Sequence, residues 1–517
     1  MKALISILWL LIFTKKLFFW SWLWQLKEYH FGRFKAHFQT EKGKKLILNK
    51  LLILKLFLLG GIVYYFSFFL YFLVLVFLLE SIFVLKQILF KSLKVPVLTK
   101  KTFLILICGI FLEFLILYYL VRLNGAKYYF SLLFLDIFAP LFFSGLVLSF
   151  QPVTLFWRKR LIEKAKKKRE KFKDLLVIGI TGSYGKTSTK EFLAEILSQK
   201  FNVLKTKKHQ NSEVGISQCI LNDLKKEHQI FVCEMGAYNK GGIKLLCEIA
   251  RPKIGIITGV NEQHLAVFGS MENLLSAEGG KELIESLPKE GFVVLNGNNK
   301  YCRELYQKVN LKKKLAGKDI KAQNIEVKKE FLSFKIDSVN FKINLLGEFW
   351  IENILMAILV AKELGMNLKE ISKACQKIKP LPGAMKLIKT KSKLNIIDAT
   401  YSANPNGVIS HLEYLKLWRG KKVIVMPCLI ELGEASERVH KNISQKIREI
   451  CDLAIITTKE CFPFLKKEAK EKVIFLQDSE KIFKKIKKYS GKEDIILLES
   501  RVPGKLLDLL EIKERTY

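Results

Sequence analysis

The sequence predicts a multi-domain chain: an N-terminal α-helical transmembrane region followed by two α/β domains. Three observations carry this reading. Apolar runs cover roughly residues 3–24, 46–86, 102–121 and 128–150, whereas the remainder has the composition of a soluble protein. The stretch "LLVIGITGSYGKTSTKEFLAEIL" at 175–197 reads as a buried strand, a glycine turn and a helix. Further on, "GKKVIVMPCL" at 420–429 is another buried strand, and a helical pattern over 436–450 follows it, as a second α/β layer requires. A chain of 517 residues is also too long for one core.

The helical region comes first. A membrane span needs about 20 apolar residues. The 46–86 run is twice that length, with Gly60-Gly61 or Tyr64-Tyr65 as the place for a tight turn, so four or five spans result. The first run carries Lys15 and Lys16 near its middle, which suggests an interfacial or broken helix. It is too long and too aromatic for a cleaved signal peptide. Lysine and arginine are dense in segment 25–45 (Lys27, Arg33, Lys35, Lys42, Lys44, Lys45) and in 86–101, and sparse in 122–127. Positive-inside bias therefore places the first two segments, and everything after residue 150, in the cytoplasm. The run "WRKRLIEKAKKKREKFK" at 157–173 holds ten basic and two acidic side chains, and reads as a helix on anionic lipid headgroups or as a solvated linker helix.

Net charge is +38. Such an excess fits nucleic acid, an anionic membrane surface or simply a lysine-rich proteome; no basic stripe interleaved with aromatics occurs in the soluble part, which favours the membrane surface well above nucleic acid. The nine cysteines form no C-x-x-C pair, which argues against a disulfide framework or a zinc site and fits a reducing cytosol.

The turn at 181–188 has the makings of an anion cradle. Glycines let backbone N–H groups converge on phosphate, and the helix N-terminus adds positive potential. Lys186 can pair with the outer phosphates and the Thr187 hydroxyl can ligate Mg²⁺. The strict G-x-x-x-x-G-K-[ST] pattern is not met, because position 180 is Ile. "IFVCEMGA" at 230–237 is a second buried strand ending in Glu234, where an acidic group can hold the magnesium.

The turn resembles that of the Mur ligases, the ATP-dependent amide-forming enzymes of peptidoglycan synthesis, and further segments extend the resemblance over about 175–517. "NEQHLAVFGS" at 261–270 is similar to the family's metal-binding segment, with His264 as the ligand. "LLGEFWIENILMAILVAKELG" at 345–365 resembles the G-x-H-N-x-x-N segment, in which Asn353 would contact adenine. "NIIDATYSANPNG" at 395–407 and "ELGEASERVH" at 431–440 resemble the D-D-S-Y-N-A-N-P and E-L-G-x-x-S-x-x-x-H segments of the MurF branch, which adds D-Ala-D-Ala to a UDP-linked muramoyl tripeptide.

The resemblance implies a P-loop-type central domain at 174–379 and a Rossmann-like C-terminal domain at 380–517, after a transmembrane region at 1–156 and a basic linker at 157–173. It implies ATP and Mg²⁺ as cofactors. ATP would be bound by Thr181, Gly182, Ser183, Gly185, Lys186, Thr187, Ser188, Asn353, Asp398 and Asn404. Thr187, Glu234, His264 and Glu278 would hold metal, and Lys186, Glu234 and His264 would carry catalysis. Four positions depart from the family pattern. Glu278 stands where a carbamylated lysine is expected, with Lys281 as the other stand-in. Phe349 replaces a His, Ala384 an Arg with Lys386 two residues on, and Ala399 an Asp.

These readings imply a multi-pass protein of the cytoplasmic membrane with its catalytic domains in the cytoplasm. Its reaction would be amide ligation through an acyl phosphate, joining D-Ala-D-Ala or a similar amine to a muramoyl peptide, while the C-terminal domain carries the amine and closes over the ATP site. Membrane helices occupy the place of the family's UDP-sugar-binding domain, so a lipid-linked or membrane-proximal acceptor is expected. Membrane lipid, the muramoyl-peptide and dipeptide substrates, and other cell-wall synthesis proteins are the expected partners. The rivals are an amidotransferase acting on a lipid-linked muropeptide, a non-catalytic nucleotide-binding membrane scaffold, and an ATP-driven transporter, whose second-domain motif is not visible.

Overall fold

The computed structural model describes residues 1–512 except 28, 30, 39, 40, 208, 209, 381–384 and 401–403, and the backbone alone at 33, 36, 41 and 42. The side chains of Arg33 and Lys42, the position of Ala384 and the Tyr401–Ala403 part of the "YSANP" segment thus lie outside the described residues. The chain divides into two compact units, Met1–Lys159 and Arg160–Tyr517.

The first unit is helical. Its long elements are α1 (Lys2–Leu26), α2 (Lys50–Tyr64), α3 (Phe66–Leu89), α4 (Lys100–Leu120) and α5 (Ala126–Ser149). Five helices here are long and apolar enough to cross a membrane. The 46–86 run breaks at Tyr65, whose φ and ψ are −137° and 65°. Gly60 and Gly61 stay helical, and Gly61 gives room to the Phe69 ring, which would lie 2.6 Å from a Cβ at that position. α1 is continuous over 25 residues, contrary to the expectation of a broken helix.

An ionic cluster explains why α1 is unbroken. Lys16 Nζ lies 2.6 Å from Asp136 Oδ1, and Lys55 Nζ lies 2.6 Å from Asp136 Oδ2. Lys55 also pairs with Glu80. Asp136 is fully buried and Lys55 nearly so. Lys16 therefore faces a carboxylate inside the bundle rather than lipid, and α1, α2, α3 and α5 are pinned together at one level. Removing one partner of a buried pair strands the other charge, at a cost of about 3–5 kcal/mol. Asp136→Leu strands Lys16 and leaves Lys55 with Glu80 alone. In the full chain in detergent, SDS unfolding followed by the fluorescence of Trp9, Trp20, Trp22 and Trp24 is expected to shift to markedly lower SDS in this variant.

The second unit begins inside helix α6 (Gln151–Glu170), which runs without interruption through the basic stretch. Ile162 and Ala165 belong to the same apolar cluster as Leu175, Val177 and Leu246. The Arg169 guanidinium donates to the carbonyls of Ala250, Phe172 and Leu175 at 2.9, 2.7 and 3.1 Å. This helix is therefore neither a free linker nor wholly available to lipid: one face is part of the soluble core.

The first sheet has six parallel strands in the order β2-β3-β1-β4-β5-β6. They are β1 (Leu176–Thr181), β2 (Val203–Lys205), β3 (Ile230–Glu234), β4 (Ile254–Ile257), β5 (Phe292–Asn296) and β6 (Lys312–Ala316). The near-continuous apolar runs of β1, β3, β4 and β5 suit burial on both faces, whereas the edge strands β2 and β6 carry lysines. Helices α7 (Lys186–Leu197) and α8 (Trp350–Glu363) pack together over one face. A small antiparallel sheet of β7 (Gln323–Val327), β8 (Leu332–Ile336) and β9 (Val339–Ile343) joins the same core.

The second large sheet has the order β10-β11-β15-β12-β13-β14. It comprises β10 (Lys386–Lys389), β11 (Asn395–Ala399), β12 (Lys422–Met426), β13 (Leu453–Ile456), β14 (Val473–Phe475) and β15 (Ile495–Glu499). All neighbours are parallel except the antiparallel edge pair β10–β11. Helices α9 (Pro405–Tyr414) and α10 (Ser436–Ile450) cover it. Cysteine spacing argued against disulfides, yet Cys428 and Cys461 are bonded to each other. They are separated by 33 residues and meet because parallel neighbours β12 and β13 bring their following loops together. The other described cysteines are free thiols.

Candidate active site

A parallel sheet directs its functional loops to the C-terminal edge of its strands. β1 ends at Thr181 in the middle of the sheet and turns through Gly182–Gly185 into α7. Two glycines make this turn possible. Gly185 has φ +77°, and a Cβ there would lie 2.6 Å from Asn353 Oδ1; at Gly182 a Cβ would lie 2.1 Å from Thr258 Oγ1. Residues Ser183 to Ser188 line a cleft of about 1500 Å³ that also takes in His264, Asn353 and Asn404.

Beneath the turn lie two carboxylates. Glu234, at the end of β3, accepts from Thr187 Oγ1 at 3.0 Å and Asn211 Nδ2 at 3.1 Å, and lies 3.2 Å from Lys190 Nζ. Glu278 is 2% exposed. Both of its oxygens lie 3.1 Å from His264 Nδ1, and Lys186 Nζ is 3.7 Å away. Burial pushes the Glu278 carboxyl upward, but the Lys186 charge and His264 outweigh it and hold the group below the usual carboxylate range. Lys186 also donates to the Gly182 carbonyl, so its ammonium lies against the turn it is expected to serve.

The expected residues fall into two sets. Ser183, Gly185, Lys186, Thr187, Ser188, His264, Asn353 and Asn404 line the cleft. Glu234 and Glu278 stand one contact behind it, through Thr187 and His264. Gly182 shapes the turn. Two of the expected residues lie off the cleft. Thr181 is fully buried, with its carbonyl taken by Thr258, and does not line the cleft. Asp398 does not line it either: its Oδ1 accepts from the Thr400 amide and hydroxyl at 3.0 and 2.6 Å, and its neighbour Ala399 faces the cleft instead. Lys281, the other stand-in for the carbamylated lysine, is exposed and lies 3.9 Å from Glu285. Among the described residues, no three His, Cys, Asp or Glu side chains form a metal cage. His264 and Glu278 bond each other directly. Thr187 and Glu234 supply the two oxygens that suit a magnesium ion, which keeps most of its water ligands.

Sequence reasoning missed Lys190 and Asn211, the other partners of Glu234. Lys190 lies one helical turn after Lys186, a spacing that could have flagged it; Asn211 carries no such signal. It also missed Asn261, whose Nδ2 reaches Asn404 Oδ1 at 3.3 Å and Asn406 Oδ1 at 3.0 Å, tying the first sheet's loops to the N-terminus of α9. Two more contacts join the same regions: Ala266 N donates to Glu431 O at 3.1 Å, and Arg438 pairs with Glu262.

His440, part of the segment that carries Glu431, Leu432, Gly433 and Ser436, has a structural role. It is fully buried, accepts from Leu429 N at 3.0 Å on Nε2, and has Nδ1 2.7 Å from Ser436 O.

The glycine turn, the two carboxylates behind it and a second α/β layer across the cleft define an α/β protein of two sheets with a turn of the kind that cradles phosphate. Comparison with known proteins makes this specific. The Mur ligase middle domain matches residues 180–361, and the Mur ligase glutamate ligase domain matches 385–501. The chain belongs to the Mur ligase family. It is 28% identical over 348 residues to the UDP-N-acetylmuramoyl-tripeptide–D-alanyl-D-alanine ligase of Bacillus subtilis, covering 65% of this chain and 75% of that one. It is 29% identical over 279 residues to the Escherichia coli ligase of the same name, covering 52% and 61%. The chain thus spans about three fifths to three quarters of the length of these curated relatives. The solved MurF of Acinetobacter baumannii superposes with a TM-score of 0.62 at 25% identity, over 69% of this chain and 80% of that one. MurF of Thermotoga maritima in complex with ADP superposes at 0.61 and 26% identity, over 69% and 85%.

Two outcomes are expected. Gly185→Ala places a methyl group against Asn353 in a left-handed backbone, so binding of a fluorescent ATP analogue should fall by about tenfold or more, at a strain of roughly 1–3 kcal/mol. Burial lowers the His440 pKa from its ordinary value of 6.5. The neutral form is favoured in the folded protein, so this contribution is present above pH 6.5 and is lost as pH falls through the lowered folded value. Urea unfolding of the full chain in detergent, measured from pH 7 to pH 5, should show a steeper decline in stability for the native protein than for His440→Gln.

Proposed function

We propose that this chain is a membrane-anchored, MurF-like, ATP-dependent ligase that joins D-Ala-D-Ala or a similar amine to a muramoyl peptide. The observation that carries the proposal is the turn at 182–187, with Lys186 and the Thr187–Glu234 pair at the mouth of a cleft shared by the two matched domains. The relatives' names supply the substrates, and the ADP complex of a structural neighbour supplies the nucleotide class.

A carboxylate is a poor acyl donor because its oxygen leaves badly. Transfer of a phosphoryl group from ATP gives an acyl phosphate, which the amine displaces with release of phosphate. Backbone N–H groups of the turn would cradle the phosphates, and the Lys186 ammonium would swing from Gly182 O toward the transferred group to stabilise its charge. Glu278 would set the place to which Lys186 returns and orient His264 through Nδ1. Magnesium, held by Thr187 and Glu234, would neutralise phosphate charge when bound. Asn261, with Asn404 and Asn406, would draw the second sheet's domain over the cleft and exclude water from the acyl phosphate.

The apolar helices of the first unit would cross the cytoplasmic membrane, with the lysine-rich segments and the catalytic domains on the cytoplasmic side. An acceptor at that membrane, lipid-linked rather than freely diffusing, fits this arrangement.

The chain purified in detergent is expected to release phosphate from ATP, in the presence of Mg²⁺, only when a muramoyl-peptide acceptor and a D-amino-acid dipeptide are both supplied. Mass spectrometry of the product, with UDP-linked and lipid-linked acceptors supplied in parallel, identifies the carrier. Lys186→Ala should abolish the release. Acceptor-independent phosphate release, or a rate that survives the substitution, defeats the proposal.

A further inference from the structure

Three lysines and two acids meet inside the helical unit. Lys15 and Lys16 come from α1, Lys55 from α2, Glu80 from α3 and Asp136 from α5. Both acids are committed. Asp136 gives one carboxylate oxygen to Lys16 and the other to Lys55, and Glu80 pairs with Lys55. Lys16 is held twice, because its ammonium also donates to the Asp136 carbonyl at 2.8 Å. That carbonyl is open because Pro140, four residues on, has no N–H to give it. Lys15 is left over. Among the described residues its ammonium has no hydrogen bond and no ion pair, and Glu80 and Asp136 act on it only from beyond ion-pair distance.

The place of Lys15 decides what can meet it. By helical rise it lies about 20 Å from the start of α1 and about 16 Å from its end. It is half-buried, on a stripe of α1 with Leu8, Leu11, Phe18 and Trp22, which are half-buried too. Leu4 and Leu26 end the stripe at 46% and 48% exposure, whereas Phe13 and Trp24 on the opposite face are buried. The bundle thus leaves partly uncovered a strip of apolar surface with one cation at its middle. Lipid tails cannot compensate an ammonium. A headgroup phosphate lies at the bilayer surface, about 15 Å from the midplane, and lysines snorkel to it from near helix ends. A second copy of this chain has no open acid for that depth. Its Glu80 and Asp136 are already paired, and Glu113 of α4 is fully buried and bonded to Thr14. The charge complement is therefore a carboxylate that another protein carries into the membrane.

We propose that this face of α1 docks a helix of another membrane protein, apolar except for one Asp or Glu at mid-depth, whose carboxylate pairs with the Lys15 ammonium. The proposal rests on the reading of the first unit as membrane-spanning. It gives the helical unit a task besides anchoring, which is to select the membrane protein beside which the chain works.

The test uses the full chain in phosphatidylcholine vesicles with a dansyl-labelled transmembrane peptide of leucine and alanine that carries one central Asp. Energy transfer from the chain's tryptophans to the dansyl group reads binding. The Asp peptide should bind about tenfold more tightly than one with a central Ala, the scale of one polar contact between membrane helices. Lys15→Met should bind both alike. Lys15→Arg should keep the preference, and Lys15→Glu should shift it to a peptide with a central Lys. A native protein that does not distinguish the Asp and Ala peptides overturns the proposal, as does a preference that survives Lys15→Met. Two results overturn it in favour of another occupant. Energy transfer between labelled copies of the chain that disappears in Lys15→Met names a second copy. Loss of the peptide preference on adding phosphatidylglycerol names a lipid headgroup. If Lys15→Met does not insert, Lys15→Arg and Lys15→Glu carry the same comparison. Quenching of the tryptophans by tail-brominated lipid is measured first; its absence brings down the membrane reading, a result distinct from any of these.

Discussion

Glu278 is the constraint on which the site depends. A buried carboxylate is costly unless cations or donors meet it, and here Lys186 and His264 do so from two elements distant in sequence. The first belongs to the phosphate turn. The second belongs to the 261–268 segment, which also reaches the second sheet's domain through Asn261, Glu262 and Ala266. The position of the turn lysine and the docking of the second domain are therefore linked through one acid. Anything that draws Lys186 away, such as a bound phosphate, alters what holds His264 and hence the segment on which the other domain rests.

Much of this architecture was legible in the sequence, for physical reasons. A strand buried on both faces must be continuously apolar, so β1, β3 and β12 announced themselves. The turn after β1 needed glycine at 182 and 185, and nothing in packing calls for Lys-Thr after it. That Asp398 and Thr181 lie off the cleft was not legible, because a motif fixes order along the chain and not the direction of a side chain: Thr400 bonds the one, and strand burial encloses the other. The bond between Cys428 and Cys461 could not be read from spacing, since it follows from which strands are neighbours. The contact between His411 on α9 and Glu499 at the end of β15 was equally hidden, because the two lie 88 residues apart and meet only when β15 inserts between β11 and β12.

The apolar unit taught a similar lesson. Lys15 and Lys16 in the first run looked like a fault in a span. The complementary acids were present in other runs, at Glu80 and Asp136, but only the packing of α1 against α5 brings Lys16 to Asp136. Hydropathy counts charges one run at a time and does not see charges that cancel between runs.

Helix α6 has one further implication. The match to the Mur ligase middle domain starts at residue 180, at the end of β1, which invites the view that the folded domain starts there. Ile162, Ala165 and Arg169 contradict that view, because they fill and hydrogen-bond a core most of whose members come from the matched region. The edge of the family match and the edge of the packed core differ by about a helix. A chain trimmed at the former would leave an uncovered apolar groove, and its failure to behave as an enzyme would reveal nothing about catalysis.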